Sequence, residues 1–229
     1  MALHHPTLGM RLSDAFGAWA VRRLARQVSV EGLENVPRQG GAILAGNHIS
    51  WVDPVLLACW LTPTTKRAIN WMGKAEALGW PIIGAFLRIN GVFGVRRGSA
   101  DLEAFRLAEG VLRDGGLLGI YPEGTRSPDG QLYRGRTGIA RMALEARVPV
   151  VPCVMVDTDT MMPIGQRVPN VVRVGVVIGE PLDFSRFHGM EGDRYILRSI
   201  TDEIMVALQR LGEQKYDDVY ASTVKNRAA

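Results

Sequence analysis

Apolar residues recur along this chain in two rhythms. Nearly continuous runs at 41–45, 117–121 and 148–156 read as strands buried on both faces, and 66–72, 91–95 and 171–178 add further β-type runs. Spacing by threes and fours predicts helices over 8–28, from Pro54 to before Pro63, over 101–113, over 138–146 and over 192–211. In 101–113 the residues Leu102, Phe105, Leu107, Ala108, Val111 and Leu112 are expected to face inward, with Ser99 or Asp101 as cap and Gly115-Gly116 as the stop. A short strand is expected at 28–33 and a turn-rich loop at 35–41. This alternation predicts an α/β fold: a single domain with a mixed, mostly parallel β-sheet flanked by helices and preceded by an N-terminal amphipathic helix. No repeat, low-complexity segment or interdomain linker interrupts it. Residues from about 212 onward are polar and read as a frayed tail.

Two apolar segments carry a double reading. In 8–28 the stripe is Leu8, Leu12, Phe16, Trp19, Ala20 and Leu24, with Arg11, Arg22, Arg23 and Arg26 between. Such a basic amphipathic helix can lie in a membrane interface, or pack on the domain as an ordinary helix. Segment 77–87, with Leu78, Trp80, Ile82, Ile83, Phe86 and Leu87, can line an acyl pocket, dip into lipid, or be a buried helix.

Composition narrows the picture. The 229 residues are 47% hydrophobic with a formal net charge of +4, enough chain for one substantial core. The basic balance suits an anionic partner. Aromatics are only 7% and no basic stretch interleaves with them, which argues against nucleic acid. Cys59 and Cys153 sit in apolar runs with no metal-ligand spacing and no disulfide framework, as core thiols in a reducing compartment do. The longest apolar segments are about half of the roughly 20 residues a bilayer span needs, so no transmembrane helix is expected. No secretory signal is read at the N-terminus either. A cytosolic protein, or one held peripherally at the cytosolic face of a membrane, is the expectation.

The candidate chemistry follows strand ends. After 42–45 come Asn47, His48, Ser50 and Asp53, and then a helix opening at Pro54. A strand end delivering polar groups to a helix start is a usual place for chemistry in α/β folds. His48 is a candidate general base, and a carboxylate on its far ring nitrogen would fix its tautomer. Asp53 before Pro54 is equally a helix cap, and the two roles can coexist. After 91–95 come Arg96 and Arg97, either a bidentate phosphate grip or surface charge. After 117–121 come Pro122, Glu123, Gly124, Thr125 and Arg126. That loop reads as an anion-binding turn without P-loop spacing, or as a polar turn closed by a Glu123–Arg126 pair.

These elements together resemble the PlsC-type glycerolipid acyltransferase family. His48 and Asp53 match its His-x4-Asp motif. The run 91–97 resembles its second motif, ending at Arg97, although Arg96 stands where many members carry an acid. Tyr121-Pro122-Glu123-Gly124-Thr125-Arg126-Ser127 is similar to its third, and Val148-Pro149-Val150-Val151-Pro152 to its fourth. The resemblance spans about residues 30–180 and implies an acyltransferase domain over 30–212, a membrane-associating helix over 1–29 and a polar tail over 213–229. It implies transfer of a fatty acyl group from acyl-CoA or acyl carrier protein to the free hydroxyl of lysophosphatidic acid, giving phosphatidic acid for phospholipid biosynthesis. His48 and Asp53 would be catalytic, and Arg97, Glu123, Gly124, Thr125 and Arg126 would form the substrate phosphate site. No metal and no bound cofactor are expected; the thioester is a co-substrate. The partners implied are a lysophospholipid acceptor, the thioester donor and an anionic membrane surface. The alternatives are the same chemistry on glycerol-3-phosphate, another lysophospholipid or a glycolipid, and a non-catalytic lipid- or carrier-protein-binding module. A thioesterase gains no support, since no Gly-x-Ser-x-Gly elbow is present.

Overall fold

The computed structural model describes residues 5–95, 101–163, 165–166 and 168–228. In chain order it runs α1 (Leu8–Leu24), β1 (Gln27–Glu31), β2 (Ala42–Gly46), α2 (Asp53–Thr65), β3 (Ile69–Lys74) and α3 (Ala75–Leu78). Then come α4 (Pro81–Ile89), β4 (Val92–Val95), α5 (Leu102–Arg113), β5 (Leu117–Ile120), β6 (Leu132–Tyr133) and α6 (Gly138–Ala146). The chain closes with β7 (Val150–Val156), α7 (Thr158–Met161), β8 (Arg173–Ile178), α8 (Arg194–Gly212), β9 (Tyr216–Asp217) and α9 (Ala221–Ala228).

The main sheet has seven strands in the order β1-β8-β7-β2-β5-β3-β4. Every neighbouring pair is parallel except β7 with β8, so the expected mixed, mostly parallel sheet is observed. Its central strands β2, β5 and β7 are buried on both faces because their side chains alternate between two cores. Ile43 and Ala45 of β2 pack with α5, α6 and α8, while Ala42 and Leu44 pack with α1 and α2. From β5 the chain crosses to β7 past β2, and from β2 it crosses to β3 past β5. The direction of winding therefore reverses at β2 and β5, which opens a crevice beyond their carboxyl ends.

Several boundaries differ from expectation. The α2 helix continues through Pro63 to Thr65. Hydroxyls of Thr64 and Thr65 donate to the carbonyls of Trp60 and Leu61, which supports the last turn where a proline N–H is missing. In α5, Leu102 and Leu107 are exposed, and the inward face is Ala104, Ala108, Val111 and Leu112. Asp101 does cap it, accepting from the N–H of Ala104. The short helix α7 and the β6–β9 pair were not anticipated. The tail is not frayed: β9 pairs in parallel with β6, and Ala221 of α9 is fully buried.

The α1 helix resolves its double reading in an unforeseen way. It does pack on the domain, but through Met10, Asp14, Gly17 and Val21. The expected apolar stripe stays outside, with Leu8 72%, Phe16 67% and Trp19 55% exposed. Gly17 explains the choice of face. A Cβ there would lie 2.6 Å from Cys59 Sγ and 3.1 Å from Val55, so the two helices meet backbone to side chain. We expect Gly17→Leu to force α1 off α2 and cost about 1–3 kcal/mol, read as a Tm lower by several degrees. Gly110→Ala, at a mid-helix site with nothing within 4 Å of the added carbon, should leave Tm unchanged or slightly raised.

Candidate active site

The residues after β2 build the site. As β2 ends, Asn47 extends its ladder with a side chain: Nδ2 donates to Met155 O at 3.0 Å and Oδ1 accepts from Met155 N at 2.7 Å. That pins the following loop to β7. His48 then stands with Nδ1 2.9 Å from Asp53 Oδ2, its ring stacked on Tyr121 at 4.1 Å between centroids. Tyr121 in turn stacks on Trp71. The imidazole is thus fixed on one face by an aromatic wall and at one nitrogen by a carboxylate.

Asp53 is fully buried. Its Oδ2 also accepts the backbone N–H groups of Ile49 and Ser50, each at 2.8 Å, and its Oδ1 accepts from Thr158 Oγ1 at 2.6 Å. Both oxygens point back into the loop or across to α7. The cap reading of Asp53 therefore fails: Val52 holds the cap position, and neither Asp53 oxygen turns to the first N–H groups of α2. Thr158 was invisible to sequence reasoning, because a lone threonine 105 positions away carries no spacing signal.

The loop after β5 lies against the first. Ser127 N donates to His48 O at 2.6 Å. Glu123 is 1% exposed, and its two oxygens accept from the backbone N–H groups of His48 at 3.3 Å and Tyr133 at 3.0 Å. It shapes the loop from inside, and these partners replace the expected Glu123–Arg126 pair. Gly124 has φ +73° and donates to Tyr121 O; a Cβ there would meet Arg136 Nε at 2.9 Å. Arg126 lies over the Trp51 ring at 4.9 Å, and its Nη1 is buried without a hydrogen-bond partner among the described residues. Thr125 Oγ1 accepts from Lys225 Nζ. Arg96 and Arg97 lie outside the described residues. Among the described residues, no three His, Cys, Asp or Glu side chains converge as a metal site would need.

A histidine held by a buried carboxylate at the crevice of a mostly parallel, doubly covered sheet, beside a basic loop, is the kind of place where α/β enzymes carry their chemistry. The comparisons narrow that class. The Acyltransferase family model matches residues 27–156, and the chain belongs to that family. It is 30% identical over 196 residues to the 1-acyl-sn-glycerol-3-phosphate acyltransferase of Bacillus subtilis, covering 84% of this chain and 91% of the relative. It is also 29% identical over 171 residues to the chloroplastic enzyme of that name, LPAT1, from Arabidopsis thaliana, where it spans 45% of the relative's length. The crystal structure of the 1-acyl-sn-glycerophosphate acyltransferase PlsC from Thermotoga maritima superposes with a TM-score of 0.69 at 26% identity. That match covers 88% of this chain and 79% of that one.

Burial pushes the Glu123 carboxyl up to about 8, against the pull of its two backbone N–H bonds; buried Asp53 nearby adds to the rise. A carboxyl raised from its ordinary value of 4.5 contributes stability below that value and loses it as pH rises through about 8. In Glu123→Gln an amide NH2 must face one of the two N–H donors, at a cost of about 1–3 kcal/mol. Thermal unfolding of wild type and Glu123→Gln from pH 5 to 9 should show the wild-type advantage largest at the acid end and shrinking as the carboxyl ionises. A gap that widens with pH would show that the folded protein favours the carboxylate.

Proposed function

We propose that this protein is a 1-acyl-sn-glycerol-3-phosphate O-acyltransferase, moving a fatty acyl group from acyl-CoA or acyl carrier protein to lysophosphatidic acid in phospholipid biosynthesis. The observation that carries the reading is the His48–Asp53 pair, with His48 Nδ1 2.9 Å from a carboxylate of zero exposure. Asp53 holds the proton on Nδ1 and leaves the Nε2 lone pair for the acceptor hydroxyl. An alcohol is a poor nucleophile until its proton is removed as it attacks. Nε2 takes that proton while the acceptor oxygen bonds to the thioester carbonyl carbon. Collapse of the tetrahedral species breaks the carbon–sulfur bond, and the imidazolium returns the proton to the departing thiolate. Asp53 stabilises the imidazolium meanwhile. The steps use acid–base chemistry and the two substrates, with no bound cofactor. Arg126, with a buried donor that no acceptor among the described residues meets, would bind the acceptor phosphate together with Thr125 and Arg97, in a loop shaped by Glu123 and Gly124.

The acceptor is a lipid, and the surface suits a peripheral position on the cytosolic face of an anionic membrane. No helix among the described residues is long and apolar enough to cross one. The exposed stripe of α1 is joined by exposed Ile82, Ile83, Phe86 and Ile89 of α4, because Gly9 sits against Ile89. Exposed arginines 11, 22 and 23 flank that apolar face, as a helix in an anionic interface requires.

Thiol release from palmitoyl-CoA by wild type should depend on lysophosphatidic acid and fall about 10²–10⁴-fold in His48→Ala. Release without acceptor would indicate a thioesterase, and undiminished turnover in the variant would make His48 structural. Co-sedimentation with phosphatidylglycerol vesicles should be strong for wild type. It should drop at least about tenfold for the double variant Phe16→Asp/Trp19→Asp, since each aromatic carries roughly 1.5–3 kcal/mol of transferable apolar surface. Unchanged partitioning would remove α1 from the membrane face.

A further inference from the structure

The C-terminal segment after α8 lies beyond residue 156, where the family match stops, yet it reaches the loop after β5. It is clasped at many points. Asn47 Nδ2 donates to Gln214 Oε1 at 2.8 Å, and Gln214 Nε2 donates to Gly130 O at 3.0 Å. Leu132 N and Arg134 N donate to the carbonyls of Lys215 and Val219. The Tyr220 ring lies under both Arg134 and Arg136, and Arg136 Nη2 donates to Ser222 Oγ at 3.2 Å. Together these contacts set α9 so that Lys225 Nζ donates to Thr125 Oγ1 at 3.0 Å and to the carbonyl of Arg126.

That contact changes what the loop can bind. The Arg126 carbonyl oxygen only accepts and on its own repels an anion, while the Thr125 hydroxyl, its oxygen accepting from Lys225, keeps its proton to donate to one. Lys225 covers both with an ammonium, so the loop meets its ligand with positive charge. Arg136 beside Gly124 and Lys225 on Thr125 then add to the charge of Arg126, while Glu123 is turned inward onto backbone N–H groups and Asp129 is engaged by Ser127, Gln131 and Tyr133. A purely structural strap has no need for a charged side chain at this point; Ala221 already buries α9 against the domain.

We propose that this C-terminal clasp is part of the substrate site and that Lys225 acts with Arg126 to bind a substrate phosphate monoester. The inference rests on the acyltransferase reading above. Two phosphates have this chemistry: the headgroup of the acceptor and the 3′-phosphate of a coenzyme A donor.

The test is steady-state kinetics of Lys225→Met and Lys225→Arg, with unfolding temperatures measured in parallel. Loss of one charge-assisted hydrogen bond to phosphate should raise the affected KM about 10- to 100-fold, with kcat largely kept and most of the loss recovered in Lys225→Arg. A rise confined to lysophosphatidic acid, and absent for monoacylglycerol, assigns the acceptor headgroup. A rise confined to palmitoyl-CoA, and absent for its dephospho-CoA analogue, assigns the donor. A fall of kcat that is equal for phosphorylated and unphosphorylated acceptors, together with a lower Tm, would overturn the proposal in favour of a structural strap. Unchanged constants would overturn it outright. A second readout needs no turnover: inorganic phosphate should raise the Tm of wild type and not that of Lys225→Met. It separates the two claims, since a wild type without acceptor-dependent thiol release would sink the acyltransferase reading while phosphate protection through Lys225 could still be seen.

Discussion

The carboxylate of Asp53 holds this site together. It is removed from solvent and meets four donors: the His48 ring, the N–H groups of Ile49 and Ser50, and the Thr158 hydroxyl. A buried charge without such partners is costly by several kcal/mol, so the loop after β2 has little freedom to adopt another shape. The same atoms that satisfy the charge also place the imidazole. Three elements are tied by it: the end of β2, the start of α2 and, through Thr158, the turn after β7. Losing this anchor would release the loop as well as the histidine, which is why a change at Asp53 cannot be read as a change in basicity alone.

The two ends of the sheet are held by opposite chemistry. At the amino ends of the strands, buried Arg67 donates to the carbonyls of Pro37, Gly40 and Gly115 at 2.5–2.6 Å. One guanidinium thereby stitches the loops entering β2 and β5 to the start of β3. At the carboxyl ends, buried carboxyl groups do the equivalent work by gathering backbone N–H groups, Asp53 from the loop after β2 and Glu123 from His48 in that loop and Tyr133 in β6. At the cation-held end Arg67 spends its donors on three backbone carbonyls. The carboxylate-held end leaves a histidine nitrogen and an arginine donor for a ligand. Rigid support at one end and unfinished hydrogen bonding at the other is what allows a parallel sheet to present reactive groups without losing its core.

Much of this was legible from residues that carry local rhythm. The strands after which chemistry falls, the α/β alternation and the His48–Asp53 spacing were all read from nearby sequence, and β7 and α6 fell close to where their apolar runs placed them. What failed has a common cause. Thr158, Arg67 and Lys225 act on partners about 30 to 105 positions away, and a single polar residue at such a distance leaves no periodic signal. Glu123 shows a second limit: its neighbour Arg126 suggested an ion pair, whereas the loop turns the two side chains apart. The α1 helix shows a third. Its bulky stripe was correctly seen, but amphipathicity alone does not say which face meets protein. Gly17, whose missing side chain lets α2 approach, decides that.

The geometry of α1 also bears on how the proposed thioester donor and lipid acceptor would meet at one histidine. The helix rests on α2, the helix whose first residue is Asp53. Its outward stripe and that of α4 adjoin through Gly9 and Ile89, while Trp51, exposed between His48 and Asp53, stands under Arg126. An aromatic ring with a cation over one face is suited to the boundary between apolar and aqueous phases. In the proposed docked position the loop that would hold the acceptor phosphate would stay in the polar layer while the apolar helices would take up the chain-rich layer. A hydroxyl between phosphate and acyl chain would then be brought to the level of the crevice by the depth at which the protein sat. Membrane docking would thus contribute to catalysis by fixing orientation, the part of the barrier that a base alone does not lower.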